Sequence, residues 1–136
     1  MSTWLVDTSV AVPAVLTSHD AHAFVSQRLE GRELRLTAHS AIETYSVLTR
    51  LPGDARLRPE DAAQLLGERF GAPATLPAPA MRKLVAEMAG IGIAGGAAYD
   101  ALIAATVRSA NGSLLTRDRR AAATYAAFGV QCELLV

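Results

Sequence analysis

The sequence predicts a single α/β domain, with a central parallel sheet of about five strands flanked by helices on both faces. A length of 136 residues suits one compact domain. The apolar fraction of 51 % and the charged fraction of 19 % allow a buried core to form. Short apolar runs alternate with helical patterns, which is typical of βαβ units. We therefore expect residues 1–136 to form one domain.

The predicted strands are short apolar runs. Trp4 to Val6 reads as a buried strand that stops at Asp7. Further strands are expected at residues 34–37, 113–116 and 130–136, with at most a short one around Thr75 and Leu76.

Helices are predicted from apolar spacing and from the residues that begin and end them. One follows Ser18 and is closed by Gly31, and another begins at Ser40 and ends at Pro52-Gly53. Pro59 suits a first helical turn and opens a helix towards Phe70. The other expected helices cover residues 80–88, 97–109 and 119–128, with the glycine-rich residues 90–96 as a loop.

Charge and cysteine content narrow the classes of function. Thirteen basic and thirteen acidic residues give no net charge, so any binding of nucleic acid must be local. Cys132 is alone, which excludes an internal disulfide, and the spacings typical of zinc sites are missing. With no basic leader and no apolar stretch near 20 residues, we expect a soluble cytoplasmic protein without membrane contacts.

Asp7 and Asp118 are placed where a parallel sheet binds ligands. Asp7 directly follows the first predicted strand, and Asp118 lies two residues after the strand that ends at Thr116. The carboxyl ends of parallel strands form the functional edge of such sheets. Each aspartate has an equally simple explanation as the N-cap of the helix that follows it.

Glu43 also has two explanations. Ser40-Ala41-Ile42-Glu43 matches a capping box, in which the glutamate bonds back to the amide of the cap residue. Val47 and Leu51 lie four and eight residues further on, however, so Glu43 heads a partly apolar helix face. Capping alone does not require that position.

Asp100 is the most informative acid in the sequence. Ile103, Ala104 and Val107 follow it at spacings of three, four and seven residues, which predicts a side chain on the buried face of its helix. A buried carboxylate is costly unless a cation or a hydrogen-bond donor meets it. Several carboxylates drawn together likewise favour a bound cation, and oxygen ligands without His or Cys favour Mg²⁺ or Mn²⁺.

The histidines show no such pattern. His19, His22 and His39 do not lie beside the acids in the sequence, so we interpret them as ordinary surface or polar residues. His19 and His22 are about one helical turn apart, a spacing that favours metal binding only weakly.

Four short segments, in this order, resemble the acidic motifs of the PIN-domain family. Each motif is weak alone, whereas four in order over a domain-sized chain are specific. Single-domain chains of this size resemble the VapC-type toxins of bacterial toxin–antitoxin pairs. The segments are Leu5-Val6-Asp7-Thr8-Ser9, Ser40-Ala41-Ile42-Glu43, the stretch 98–105 around Asp100, and Leu115-Thr116-Arg117-Asp118.

The resemblance implies a Mg²⁺-dependent endoribonuclease that leaves a 5′-phosphate, is held inactive by a cognate antitoxin and often forms a homodimer. It makes Asp7, Glu43, Asp100 and Asp118 the catalytic metal-site acids, with Ser9 and Thr116 as polar supports.

One feature departs from the family pattern. Many members carry a further acid just past the last motif, where this chain has Arg119 and Arg120. The sequence therefore leaves open whether the site binds one metal ion or two. Together with Arg117, these arginines either hold RNA phosphates or form a solvated helix start.

Three alternatives to a toxin ribonuclease follow from the same residues. A housekeeping RNA-processing nuclease would carry the same motifs, and a degenerate PIN domain would only bind RNA or a partner protein. A phosphoacceptor domain would also place acids and Mg²⁺ at this edge. Such a domain generally needs paired early acids and a nearby lysine, whereas Asp7 has no acidic neighbour and Lys83 falls on a predicted surface helix.

Overall fold

A parallel sheet forms the centre of the protein, as predicted. The computed structural model describes residues 3–136. Within them, four strands pair in the order β2-β1-β3-β4, and all three pairings are parallel. The strands are β1 (Trp4–Val6), β2 (Leu34–Leu36), β3 (Ser113–Thr116) and β4 (Cys132–Leu134).

The fifth expected strand is reduced to a single bridge. Thr37 pairs in parallel with Ala74, just before the predicted position at Thr75 and Leu76. Ala74 donates its amide to Leu36 O and accepts from the amide of Ala38, both at 2.8 Å. Proline at position 73 lacks an amide donor, which limits further pairing on that side. The last strand is also shorter than the expected range 130–136.

Seven α-helices cover the sheet within the described range, and a short 3₁₀ turn spans Gly53–Ala55. The helix predicted at 97–109 and the strand at 113–116 are confirmed to the residue. The helices are α1 (Thr8–Val15), α2 (His22–Leu29), α3 (Ala38–Thr49), α4 (Pro59–Phe70), α5 (Ala78–Gly90), α6 (Ala97–Ser109) and α7 (Arg119–Ala127).

Both faces of the sheet are buried. In β1, Val6 belongs to the apolar cluster formed with α1 to α4, whereas Leu5 belongs to the cluster formed with α5 to α7. In β3, Leu115 belongs to the first of these clusters and Leu114 to the second. This alternation follows from the two-residue period of a strand and confirms the expected three-layer arrangement.

The start of α3 differs from the prediction. The helix begins at Ala38, and its N-cap is Thr37, whose hydroxyl oxygen accepts a 3.1 Å hydrogen bond from the amide of Ser40. Ser40 is therefore a buried residue inside the first turn, and the predicted capping box from Ser40 to Glu43 is wrong. Glu43 lies too far along the helix to bond back to the cap.

The helices of residues 3–136 include none that is both long enough and apolar enough to cross a membrane.

Candidate functional site

Two central strands bring Asp7 and Asp118 to the same edge of the sheet. Val6 of β1 is in register with Leu115 of β3, and the amide of Asp7 donates to Leu115 O at 3.3 Å. Asp7 follows β1 directly, and Asp118 follows β3 by two residues. Since the strands are parallel, both acids lie where their carboxyl ends meet.

Asp7 is buried, with 4 % of its surface exposed. Three hydroxyl groups donate to its carboxylate: Ser9 Oγ to Oδ1 at 2.5 Å, Thr116 Oγ1 to Oδ2 at 2.5 Å, and Tyr125 OH to Oδ2 at 2.8 Å. Although Asp7 occupies the N-cap position of α1, its side chain makes no capping hydrogen bond. A capping role therefore does not explain this acid.

Burial raises the pKa of the Asp7 carboxyl above its ordinary value. Hydrogen bonds from the side chains of Ser9, Thr116 and Tyr125 oppose that shift because they stabilise the charged form. The hydroxyl groups thus offset part of the stabilisation that the carboxylate loses when it leaves water.

Ser9 and Thr116 also connect the two turns that carry the acids. Ser9 Oγ accepts a 2.8 Å hydrogen bond from the amide of Arg117, and Thr116 Oγ1 accepts one of 3.1 Å from the amide of Asp118. The two hydroxyl oxygens are 3.3 Å apart. A change at either hydroxyl therefore affects the positions of both Asp7 and Asp118.

Asp118 caps helix α7. Its Oδ1 atom accepts hydrogen bonds from the amides of Arg120 at 2.9 Å and Ala121 at 3.3 Å. The capping explanation is confirmed for this residue, but it accounts for one carboxylate oxygen. Oδ2 makes no hydrogen bond to any other part of residues 3–136, so it is available for another partner.

Asp100 faces Asp118 across an open cleft of about 470 Å³. Burial, together with the negative charges of Asp118, Asp7 and Glu43 in that order of effect, raises the pKa of the half-buried Asp100 carboxyl to about 6. The structure therefore brings all four acids close enough to interact. The cleft is lined by Gly96, Ala97, Asp100, Asp118, Arg120 and Thr124.

Glu43 reaches the acids from α3. The hydroxyl group of Thr8, at the start of α1, donates a short hydrogen bond to Glu43 Oε1. Glu43 Oε2 lies 3.8 Å from His39 Nε2, one helical turn earlier. Nearly half of the Glu43 side chain, 48 %, remains exposed. Its contacts fix its direction without enclosing it.

His39, interpreted from the sequence as an ordinary surface or polar residue, lies beside Glu43 in the fold. Its ring stacks on that of Tyr99, and its charge, when present, lowers the pKa of Asp100. The sequence does not indicate these contacts, because α3 and α6 are far apart along the chain and pack together only in the fold. His19 and His22 bond locally instead: His19 Nδ1 to the amide of Ala21, and His22 Nδ1 to the carbonyl of Pro13.

Tyr125 is a site residue that the sequence analysis missed. It lies on α7 and is 1 % exposed. With Ala121 and Phe128 it shares the helix face that packs into the core, so its spacing indicates only a core residue. A buried tyrosine usually has a hydrogen-bond partner for its hydroxyl group, so a tyrosine on a core-facing side of a helix indicates a buried polar residue nearby.

Basic side chains border the acids. Arg120 is 94 % exposed in its side chain, and its Nε lies 3.9 Å from Asp118 Oδ1. The Nε of Arg117 is buried and has no hydrogen-bond partner among the described residues. Lys83, by contrast, lies on α5 and lines a different cleft with Glu87 and Arg108. The placement of Lys83 disfavours a phosphoacceptor site.

The candidate donors are carboxylates, which suit a hard cation such as Mg²⁺. No group of three or more acidic, histidine or cysteine side chains in the described part of the chain is already arranged to hold a metal ion. Mg²⁺ commonly binds through one or two carboxylates and retains several waters, so it does not require such an enclosed arrangement. After burial, the negative charges of Asp118, Asp7 and Glu43 raise the pKa of Asp100, and a bound cation would oppose that repulsion.

Residues 4–127 match the family model described as the PIN domain. The chain is 50 % identical over 125 residues to Ribonuclease VapC27 of Mycobacterium tuberculosis, covering 92 % of this chain and 91 % of that one. The fold is similar to that of VapC20, a sarcin–ricin loop cleaving toxin of the same organism, with a TM-score of 0.68, 17 % identity and coverage of 88 % and 93 %. It is also similar to VapBC-5 from the VapBC family of toxin–antitoxin systems in M. tuberculosis, with a TM-score of 0.62, 19 % identity and 98 % coverage of each chain.

Proposed function

Because this chain belongs to the PIN-domain family, we propose that it is a metal-dependent endoribonuclease and the toxin of a toxin–antitoxin pair. The observation that carries the proposal is that the half-buried Asp100 lines the same cleft as Asp118, where burial and the charges of Asp118, Asp7 and Glu43 raise its pKa. Such mutual repulsion is unfavourable in a purely structural cluster. It is expected where a cation binds.

Asp100 and Asp118 are the proposed direct ligands of the ion. Both line the cleft, and Asp118 Oδ2 is not used in capping α7. Asp7 and Glu43 complete the acidic site, directly or through water molecules. When bound, Mg²⁺ polarises a phosphate, lowers the pKa of a bound water and stabilises charge on the leaving oxygen. Mn²⁺ can supply the same chemistry.

The residues around Asp7 hold the site in shape. Three hydroxyl donors fix the orientation of its carboxylate, and their hydrogen bonds favour the charged form against the effect of burial on the pKa. Thr8 orients Glu43 through its hydrogen bond to Oε1. Such preorganisation reduces the rearrangement needed when the charged phosphate arrives.

RNA is the proposed substrate. The similarity to Ribonuclease VapC27 supports a ribonuclease, and the shallow, open cleft suits an exposed backbone rather than a small molecule. Arg120 at the rim is placed to attract a phosphate to an otherwise acidic cleft. We expect cleavage of single-stranded or loop RNA with a 5′-phosphate on the product.

An antitoxin protein is the proposed partner, and a homodimer the proposed assembly. The similarity to VapBC-5 supports a partner protein. Exposed apolar side chains such as Ile42 on α3 and Val85 on α5 provide surface for such contacts. Co-expression with the adjacent small open reading frame, followed by light scattering, tests both. A lone monomer that captures no product of that frame would contradict the proposed assembly.

The activity is tested with the purified chain and a pool of structured RNAs, comparing wild type with Asp100→Asn. Asp20→Asn, an exposed acid outside the cleft, is the matched control. Wild type and the control should cleave in Mg²⁺, whereas Asp100→Asn should lose at least about 99 % of the activity. RNA binding without cleavage in any divalent ion would favour the degenerate, binding-only alternative. Antitoxin-independent cleavage of one precursor RNA would favour the housekeeping nuclease.

A further inference from the structure

Two aromatic rings stack beside the acids. The rings of His39 and Tyr99 have centroids 5.3 Å apart and planes only 11° from parallel. His39 lies on the first turn of α3 and Tyr99 on the first turn of α6. The pair therefore joins the two helices that carry Glu43 and Asp100.

The two rings differ in exposure. The His39 side chain is mostly covered, and its Nε2 is buried without a hydrogen bond in the described structure. Tyr99 keeps 61 % of its surface exposed. An aromatic ring with one side against His39 and most of its surface in water presents a flat, preformed face.

That face lies at the edge of the proposed site. Tyr99 directly precedes Asp100, which lines the cleft, and His39 Nε2 is 3.8 Å from Glu43 Oε2. The residues before Tyr99 are small, with glycines at 95 and 96 and alanines at 97 and 98. A phosphate in the cleft would bring its adjoining nucleoside close to Tyr99.

We infer that Tyr99, backed by His39, is a stacking subsite for one unpaired nucleobase next to the cleaved phosphate. The inference rests on the proposed ribonuclease function and specifies how its substrate is held. Bases of single-stranded RNA stack on exposed tyrosines in many complexes, and this contact tolerates different sequences because every base has a π face. The subsite predicts preference for unpaired RNA, with little selection of the base.

A protein partner is the other possible use of an exposed tyrosine. The surroundings favour a nucleobase, because Tyr99 is flanked by glycine, alanine and an acid rather than by a continuous apolar patch. Ile42 and Tyr45, which lie with Leu66 along an apolar groove between α3 and α4, fit a protein contact better.

The test measures binding separately from cleavage. In an Asp100→Asn background that leaves RNA intact, fluorescence anisotropy compares a single-stranded 12-nucleotide RNA pool with an abasic pool of the same length and charge. Tyr99→Ala should weaken binding of the intact pool about tenfold and leave binding of the abasic pool unchanged. Tyr99→Phe should bind within about twofold of the parent, because the ring is kept. Tyr45→Ala, another exposed tyrosine, is the control.

Each outcome is decisive. Equal loss on both pools, or no loss, would overturn the inference, as would a loss of antitoxin binding without a loss of RNA binding. If Tyr99→Ala weakens binding of the intact pool but not of the abasic pool, and wild type never cleaves RNA, the stacking subsite stands and the nuclease proposal falls. If wild type cleaves but Tyr99→Ala leaves KM unchanged, the nuclease proposal stands and the subsite falls.

Discussion

The phenol group of Tyr125 donates a 2.8 Å hydrogen bond to Oδ2 of Asp7, across 118 positions of the chain. Both residues are almost fully buried. The contact ties the start of the sheet to the last helix, and burial together with the neighbouring Asp7 charge raises the pKa of the tyrosine far above its ordinary value. Tyr125 therefore remains a hydrogen-bond donor at any working pH.

Tyr125→Phe should test this bond. Removing the hydroxyl group deletes a donor to a buried carboxylate, which should cost about 1–3 kcal/mol of unfolding free energy. The pKa of Asp7 should rise, because that hydrogen bond lowers it in the wild type. Urea denaturation measures the stability, and Mg²⁺ titration of the variant should show weaker binding.

Tyr45→Phe serves as the control, since Tyr45 is exposed and its hydroxyl group makes no hydrogen bond within the described structure. If Tyr125→Phe matched the control in both stability and Mg²⁺ affinity, the bond would have no role in holding Asp7.

The acids themselves were predictable from the sequence. Asp7 and Asp118 follow strands, and the buried residues after Asp100 mark its helix face, so local patterns predict where these three acids lie. The face expected for Glu43 is different in the structure, because α3 buries Ser40, Thr44 and Leu48 and leaves 48 % of the Glu43 side chain exposed. Tyr125 and His39 could not be found in this way. Their roles depend on contacts between distant elements, and each has an ordinary local explanation as a core aromatic or a polar surface residue.

The start of α3 shows a different limit. Thr37 and Ser40 are both good cap residues, and both are followed three positions later by a polar side chain. Local sequence does not choose between them. The bridge from Thr37 to Ala74 does, because it holds Thr37 in extended backbone and lets the helix begin at the next residue.

Metal dependence is the second prediction. Cleavage should require Mg²⁺ or Mn²⁺ and stop in excess chelator, because the side chains that could hold a cation in the cleft are the carboxylates of Asp100 and Asp118. Restoring Mg²⁺ should restore the activity. Electrophoresis of labelled RNA provides the measurement, and full activity in chelator would refute the proposed chemistry.

The third prediction concerns the pH dependence of the metal-free protein. The pKa of Asp100 rises from 3.8 to about 6 on folding, so its neutral form stabilises the fold. That contribution is complete below pH 3.8 and is lost as pH rises through about 6. Metal-free Asp100→Asn should therefore gain stability relative to wild type across this range, as thermal melts at successive pH values would show.

Asp20→Asn corrects for a general change in net charge. Mg²⁺ should reverse the order above pH 6, because the ion stabilises only a native state that retains the Asp100 charge. If the Asp100→Asn variant were less stable than wild type without metal at every pH, Asp100 would have a structural role and not the proposed role in metal binding.

The last prediction separates the two roles of Asp118. Asparagine accepts hydrogen bonds at an N-cap as well as aspartate does, whereas alanine does not. Asp118→Asn should therefore keep the hydrogen bonds from the amides of Arg120 and Ala121. Without metal, its stability should remain within about 0.5 kcal/mol of wild type, because two effects of the lost charge oppose each other. The attraction to the helix dipole is lost, but the repulsion with Asp100 is relieved. Asp118→Ala should lose about 1 kcal/mol.

Both Asp118 variants should lose cleavage and the stabilisation conferred by Mg²⁺, because both remove the negative charge from the cleft. Thr37→Ala provides the control, since it removes the cap of α3 without changing an acid. It should lower the melting temperature yet keep the increment from Mg²⁺. An Asp118→Asn variant that cleaves RNA like wild type would leave Asp118 as a cap alone and limit the metal site to the other three acids.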